Sequence, residues 1–389
     1  MCSMRRWGWL LIIGSLLGLG GCRRDLPIGQ VVSWEKASAE SRGLDGSLLE
    51  ALKDDLAAKE THAFLVVRNN KIVYEWYARG HGSWRLESAA SLSKSLVGGL
   101  ALLVAVSDGS VGLEDSAARY LPYWADDSLK SRITLRQLAN HSSGVEHGGG
   151  ARLRILRRSY TLGNPDLFAK TLREAAVSFE PGTAYQYSGI GYGALSYALA
   201  SGLRDAPQTD ILTLLRARIM GPIGVPNSAW SIGYGAPLQI DGMRVYAAWS
   251  GGMYTARAIA RVGQFMLQKG RWEGRQLVDS VWVERMIGYG GAPLPDPQLE
   301  PAAHPAPSVC WWTNSLGAWE KLPRDAFAGL GDGGQLLLVV PSLDLVVVRI
   351  GEASGVRGMP ELWKEMDNWI FSRVAETVGT PTVTSRRRR

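Results

Sequence analysis

The sequence predicts an α/β protein in which an antiparallel sheet flanked by helices carries a second, mainly helical lobe. Three observations lead there. Short β-prone runs lie near both ends of the chain, at residues 63–67 and 72–77 and again at 336–340 and 345–350, so one sheet would be assembled from segments far apart in sequence. Between them, residues 108–248 are patterned mainly for helices and long loops. With 389 residues, 46% of them hydrophobic, the chain can bury a sizeable core as one large domain or as two lobes.

The elements follow in order. Arg5 and Arg6 precede an apolar run, residues 7–19, too short and too glycine-rich to favour a permanent membrane span, so residues 1–21 read as an export signal. The run ends in Leu19-Gly20-Gly21-Cys22, which resembles the bacterial lipobox. That resemblance implies lipid attachment at Cys22. With Arg23 rather than aspartate next, it also implies an outer-membrane lipoprotein facing the periplasm in a Gram-negative host; the alternative is an ordinary signal with a stray cysteine. Residues 22–41 are polar and aperiodic, as in a tether. Residues 45–59 keep Leu48, Leu49, Leu52 and Leu56 at helical spacing, and Arg68-Asn69-Asn70-Lys71 suits a tight turn between the first two strands. Residues 91–106 read as a mostly buried helix with Ser91 at its N-terminal end, where the helix dipole favours an alkoxide.

The helical lobe, about 107–248, draws helices from 135–139, 165–176, 191–201 and 209–220. The α/β lobe, about 42–106 and 249–375, adds an amphipathic helix at 256–268, a strand pair around Pro341-Ser342 and a closing helix at 361–373. Residues 376–389 read as a disordered basic tail. There are no internal repeats.

The formal charge of +7 invites a nucleic-acid reading, but Arg5, Arg6 and Arg386 to Arg389 are terminal, and without them the body is left at about +1. No nucleic-acid partner is expected. Cys2 would leave with the signal and Cys22 would be acylated, so Cys310 has no partner and no disulfide framework supports the fold.

Chemistry narrows by exclusion. The five histidines, His62, His81, His141, His147 and His304, form no metal-binding sequence motif, so no metal is expected. No Gly-x-Ser-x-Gly elbow is present, and no nucleotide-binding glycine pattern stands between a strand and a helix. What remains is Ser91-Leu92-Ser93-Lys94. On a helix, residues three apart share a face, so an amine can take the hydroxyl proton and make the serine a nucleophile. An amine serves as a base only when partly neutral, and the apolar run around Lys94 offers the burial that favours this. Spacing alone decides nothing, since Ser33 and Lys36 repeat it idly. Tyr187 is the candidate for a second proton-passing group.

In its order of motifs the chain resembles the serine β-lactamase and penicillin-binding protein superfamily. The specific likeness is to the group around class C β-lactamases, with its esterases, D-aminopeptidases and 6-aminohexanoate-dimer hydrolases. The resemblance rests on Ser91-Leu92-Ser93-Lys94, Asp108 to Asp115, Ile133 to Gly144, Pro181-Gly182-Thr183 leading to Tyr187-Ser188, and Gly251 to Ala256. It implies a β-lactamase/transpeptidase-like fold, no cofactor, and hydrolysis through an acyl-enzyme. Ser91 would be the nucleophile, Lys94 the general base and Tyr187 the proton shuttle. Backbone amides of Ser91 and of the substrate-binding segment Gly331-Asp332-Gly333-Gly334-Gln335 would form the oxyanion hole.

Two departures bear on the substrate. Gly189 stands where the second motif usually ends in asparagine, and the third motif presents Asp332 where a lysine or histidine is usual. A penicillin-like carboxylate would lose a contact and meet a like charge. The expectation is therefore a serine hydrolase acting on small-molecule or peptide esters or amides, with little β-lactamase activity. The alternatives are a catalytically silent relative binding peptidoglycan peptides or an envelope partner, and a D,D-peptidase or β-lactamase. Two readings of Asp332 stand: it contacts substrate, or it only caps its own turn. His141 is read as a structural loop residue, and Trp311 and Trp312 as walls of the pocket, with packing against the sheet as the alternative.

Overall fold

The computed structural model describes residues 32–147, 151–296, 304–352 and 359–378. The signal, Cys22 and the tail beyond 378 lie outside the described residues. A seven-stranded antiparallel sheet forms the centre, in the order Ala306–Pro307, Trp312–Thr313, Phe327–Gly331, Gln335–Val340, Leu345–Gly351, Thr61–Arg68, Lys71–Tyr77. The expected junction of distant segments is the pairing of Thr61–Arg68 with Leu345–Gly351. The hairpin turn after Arg68 is made by Asn69 and Asn70, both at positive φ, the geometry that matches strand twist.

Period-two alternation divides the strands between two cores. Leu337, Val339, Val346, Val348 and Ile350 face one way, toward the Ala256–Leu267 helix and the helical lobe. Leu336, Leu338, Val340, Leu345 and Val347 face the other, toward the Gly46–Ala57 helix and the C-terminal helices. The Gly46–Ala57 helix starts where Asp45 accepts from the amides of Ser47 and Leu48, and buries Leu49, Leu52 and Leu56; Leu48 is exposed.

Helical patterning located the lobe's elements but not all of them. Leu135–Ala139, Pro165–Glu174 and Gly189–Gly202 lie where expected, and the 209–220 segment is a short α-helix, Ile211–Leu215, continued by a π-helical turn, Arg216–Met220. Helices Ala151–Thr161 and Ser280–Ile287 were not anticipated; the first is arginine-rich, with only Leu156, Ser159 and Tyr160 buried, so its apolar stripe is thin. At the C-terminal end helix continues through Ser372–Thr377, past residue 375.

From Val32 onward the segment read as tether is docked. Ala37 donates to Ile72 O at 2.9 Å, Ile72 donates to Glu35 O at 2.9 Å, and Val32 is buried. Backbone pairing with an open strand edge needs no hydrophobic period, which is why composition did not reveal it. The docked segment is clamped by charge. Arg257 donates to Val32 O at 2.8 Å and grips Glu75 with both ends of its guanidinium, at 2.6 and 2.8 Å.

Burial alone would raise the Glu75 carboxyl, but hydrogen bonds from Arg257, Lys36 and Tyr77 bring it down to about 2. The stabilisation is therefore full above the ordinary carboxylate range, near pH 4.5, and fades as pH falls toward 2. Glu75→Gln should lower unfolding free energy by about 3 kcal/mol, because it leaves Arg257 buried without its counter-charge. Urea denaturation at pH 7 checks the loss. Titrations between pH 5 and 2 should show a flatter acid dependence in the variant than in the parent.

Candidate active site

Ser91 and Lys94 open one long buried helix, Ala90–Ser107. It begins as a 3-10 turn, widens into a π-helical stretch at Lys94–Gly99, and runs on as the α-helix Leu100–Ser107. Its apolar length would suit a membrane, but 83% of it is buried inside the protein, as a core helix must be. The π-turn shifts the helical register just where Lys94 leaves the backbone, a placement common at functional sites. Ala90, immediately before Ser91, sits at φ 45, a left-handed conformation that costs an alanine about 1–2 kcal/mol and turns the chain sharply before the hydroxyl.

Lys94 is 6% exposed, and its Nζ lies 3.3 Å from Ser91 Oγ and 2.8 Å from the carbonyl of Trp249, to both of which it donates. It also lies over two rings, with Nζ 4.7 Å from the centroid of Tyr187 and 5.4 Å from that of Tyr192. Strand-like segments steady the entry to the helix. Ala89 donates to Gly252 O, Ser93 Oγ donates to Gly251 O at 2.6 Å, and Ser95 Oγ donates to Cys310 O at 2.7 Å.

Tyr187 reaches the cleft because the next residue caps a helix. Ser188 Oγ accepts from Gly191 N–H at 2.8 Å, starting Gly189–Gly202, and donates to Glu146 O. The Tyr187 ring rests on His141, with centroids 4.4 Å apart and planes inclined by 33°. His141 is buried, and burial together with the nearby Lys94 charge pushes its pKa well below the usual value, so it stays neutral. Its Nδ1 accepts from Ser188 N–H at 3.1 Å, so it serves as a platform and anchor for the second motif. Both tryptophans line the cleft: Trp312 packs 6.3 Å from His141, and Trp311 also packs onto Phe327 at 5.4 Å. Cys310 is free and buried, and burial pushes its thiol up to about 12, which removes it as a nucleophile.

The third-motif segment divides in two. Gly331 lies against the nucleophile's backbone, where an added Cβ would stand 3.1 Å from Ser91 N and 2.6 Å from Ala89 O. Asp332 is exposed at the turn. Gln335, expected at the substrate, points away from it: its amide donates to Gly351 O at 2.6 Å and to Asp332 O at 3.3 Å, and its oxygen accepts from Gly351 N–H. Behind the turn Arg349 is fully buried and donates to the carbonyls of Gly333, Gly334, Lys59 and Glu352 and to Thr61 Oγ1. Gly333 and Gly334 thus give their carbonyls to Arg349 rather than to the cleft.

Gly189, the departure in the second motif, has an apolar neighbour. A Cβ there would come within 2.6 Å of Leu153 Cδ1, a side chain from Ala151–Thr161. Sequence reading missed Leu153, Arg349 and the Trp249 carbonyl. The last is a backbone group and leaves no residue signature.

The family model for Beta-lactamase matches residues 50–356. A curated relative, the 6-aminohexanoate-dimer hydrolase of Paenarthrobacter ureafaciens, is 24% identical over 314 residues, covering 78% of this chain and 75% of its own. Among solved structures, a Bacillus anthracis protein assigned to the 6-aminohexanoate-dimer hydrolases superposes with TM-score 0.65 at 21% identity, covering 89% of this chain and 88% of its own. A family VIII carboxylesterase superposes with TM-score 0.61 at 16% identity, covering 89% and 98%. At these identities the superpositions speak to the fold.

Two substitutions probe the geometry. Gly331→Ala should push its strand off the Ser91 backbone and lower the rate of covalent labelling by a serine-directed phosphonate by about 100-fold with far-UV circular dichroism unchanged, the scale of a lost oxyanion donor. Gly189→Asn should destabilise by about 1–3 kcal/mol in urea through overpacking, and adding Leu153→Ala should recover most of it.

Proposed function

Since the chain belongs to the beta-lactamase family, we propose that it is a serine hydrolase of esters or amides that are neutral or amino-bearing next to the scissile bond, acting through an acyl-enzyme. The observation that carries this reading is the Ser91–Lys94 pair, with the amine buried, 3.3 Å from the hydroxyl and fixed by the Trp249 carbonyl. In this reading Ser91 Oγ attacks the carbonyl carbon as its proton passes to Lys94. The backbone at Ser91 and at the Gly331 strand receives the oxyanion, and Tyr187 returns the proton to the leaving group. Water then hydrolyses the ester bond to Ser91 by the same path in reverse. A carboxylesterase among the structural neighbours supports trying esters first.

Two features favour little β-lactamase activity. Gly189 lacks the amide donor that usually ends the second motif and has Leu153 beside it, and Asp332 is an exposed carboxylate on the turn after Gly331, which would repel a lactam's carboxylate docking there. The same two features feed a second reading, a silent protein that binds peptidoglycan peptides in this cleft. The export signal and Cys22 support a lipid-anchored, periplasm-facing location for either.

A fluorophosphonate probe followed by intact-protein mass spectrometry separates the readings. One adduct per chain is expected, absent in Ser91→Ala and Lys94→Ala, and kcat on p-nitrophenyl esters should fall by about a thousandfold or more in both and by about a hundredfold in Tyr187→Phe. No adduct on the parent protein supports the silent binder. Turnover of a chromogenic cephalosporin at the rate of the esters overturns the substrate assignment.

A further inference from the structure

Away from the cleft, three side chains from separate segments converge on one point. His62 comes from the strand Thr61–Arg68, His81 from the loop after Lys71–Tyr77, and Glu87 from the short strand Glu87–Ser88. All three are half-buried, and one ligand atom from each lies within 4.8 Å of the others. The imidazoles stack with centroids 4.1 Å apart and planes inclined by 25°, and both direct Nδ1 at the same carboxylate. His81 Nδ1 lies 2.6 Å from Glu87 Oε1, and His62 Nδ1 lies 3.5 Å from Glu87 Oε2.

We propose that His62, His81 and Glu87 form a three-ligand site for a borderline divalent transition ion of the Zn²⁺ type, with water completing the shell. Metal–ligand bonds of about 2.0–2.2 Å in a tetrahedron place the ligand atoms about 3.3 Å apart. The two nitrogen–carboxylate contacts, 2.6 and 3.5 Å, lie on either side of that value, and the three ligand atoms are all within 4.8 Å of one another, so side-chain shifts of up to roughly 1.5 Å bring them to the tetrahedral spacing. Two imidazoles with one carboxylate suit zinc better than magnesium or calcium, which take oxygen ligands. Arg85 lies at the edge of the cluster. Its Nη1 donates to Gly80 O at 3.1 Å, and its Nε sits 3.2 Å from Glu87 Oε1 as a charge contact without a hydrogen bond, on the oxygen away from His62.

The ion would be a clamp. Glu87 pairs with Tyr254 in a small sheet, and four residues later the chain reaches Ser91. Holding Glu87 to the Thr61–Arg68 strand fixes the approach to the nucleophile from outside the cleft, without contact with substrate.

The test is titration of the chelator-treated full chain with Zn²⁺ alone, read by competition with a chromophoric chelator, elemental analysis and thermal melting. One Zn²⁺ per chain is expected, with the melting temperature raised by about 4 °C or more at a hundredfold excess over Kd. Binding should be lost in His81→Gln and in Glu87→Gln and retained in His147→Gln, whose histidine lies outside the cluster. Glutamine keeps hydrogen-bonding capacity, and circular dichroism of the metal-free variants confirms the fold; should His81→Gln fail to fold, His62→Gln takes its place. No saturable binding, a stoichiometry other than one, or binding undiminished in the cluster variants overturns the site and leaves a polar cluster closed by hydrogen bonds and Arg85.

Discussion

A single buried amine joins the parts of this site. Lys94 Nζ touches the hydroxyl of Ser91 on its own helix, the backbone of Trp249 where the chain returns from the helical lobe, and the rings of Tyr187 and Tyr192 at and just after the second motif. A lysine taken out of water must replace its hydration with fixed dipoles, and each replacement here is supplied by a different segment. Moving any of them exposes the amine or leaves it unsolvated. The requirement explains why the helix widens at Lys94 and why Ser188 caps a helix start next to Tyr187. It also explains why His141 is buried as a neutral platform.

The site's side-chain chemistry was legible in the sequence and its backbone chemistry was not. Ser91, Lys94 and Tyr187 could be placed because residue type and spacing agree with the order of the resembling motifs, and the structure gathers all three on one cleft. The sheet was legible too, because alternating apolar strands need partners whatever their distance along the chain. Gln335 shows the limit. Its position in the motif marked it for substrate, but a buried amide facing a strand end satisfies itself on Gly351. The docked segment at 32–41 and the Trp249 carbonyl share one cause, since backbone hydrogen bonds are indifferent to the side chains that sequence patterns read.

Gly189 does not border an open space: Leu153 lies where a side chain at this position would begin, so the surface beside the second motif is apolar. At the third motif the carbonyls of Gly333 and Gly334 are held by Arg349 behind the sheet, and only the exposed carboxylate of Asp332 remains to meet solvent or substrate. Asp332 is thereby an exposed carboxylate on a rigidly backed turn.

The pairing of Thr61–Arg68 with Leu345–Gly351 also dictates the order in which the molecule can be completed. The first strand leaves the ribosome nearly three hundred residues before its partner, and at roughly 5–20 residues per second that is a wait on the order of tens of seconds. Throughout it the strand has only the Lys71–Tyr77 hairpin beside it, and the helix bearing Ser91 lacks the sheet it packs against. Folding of the α/β lobe is thus post-translational by topology.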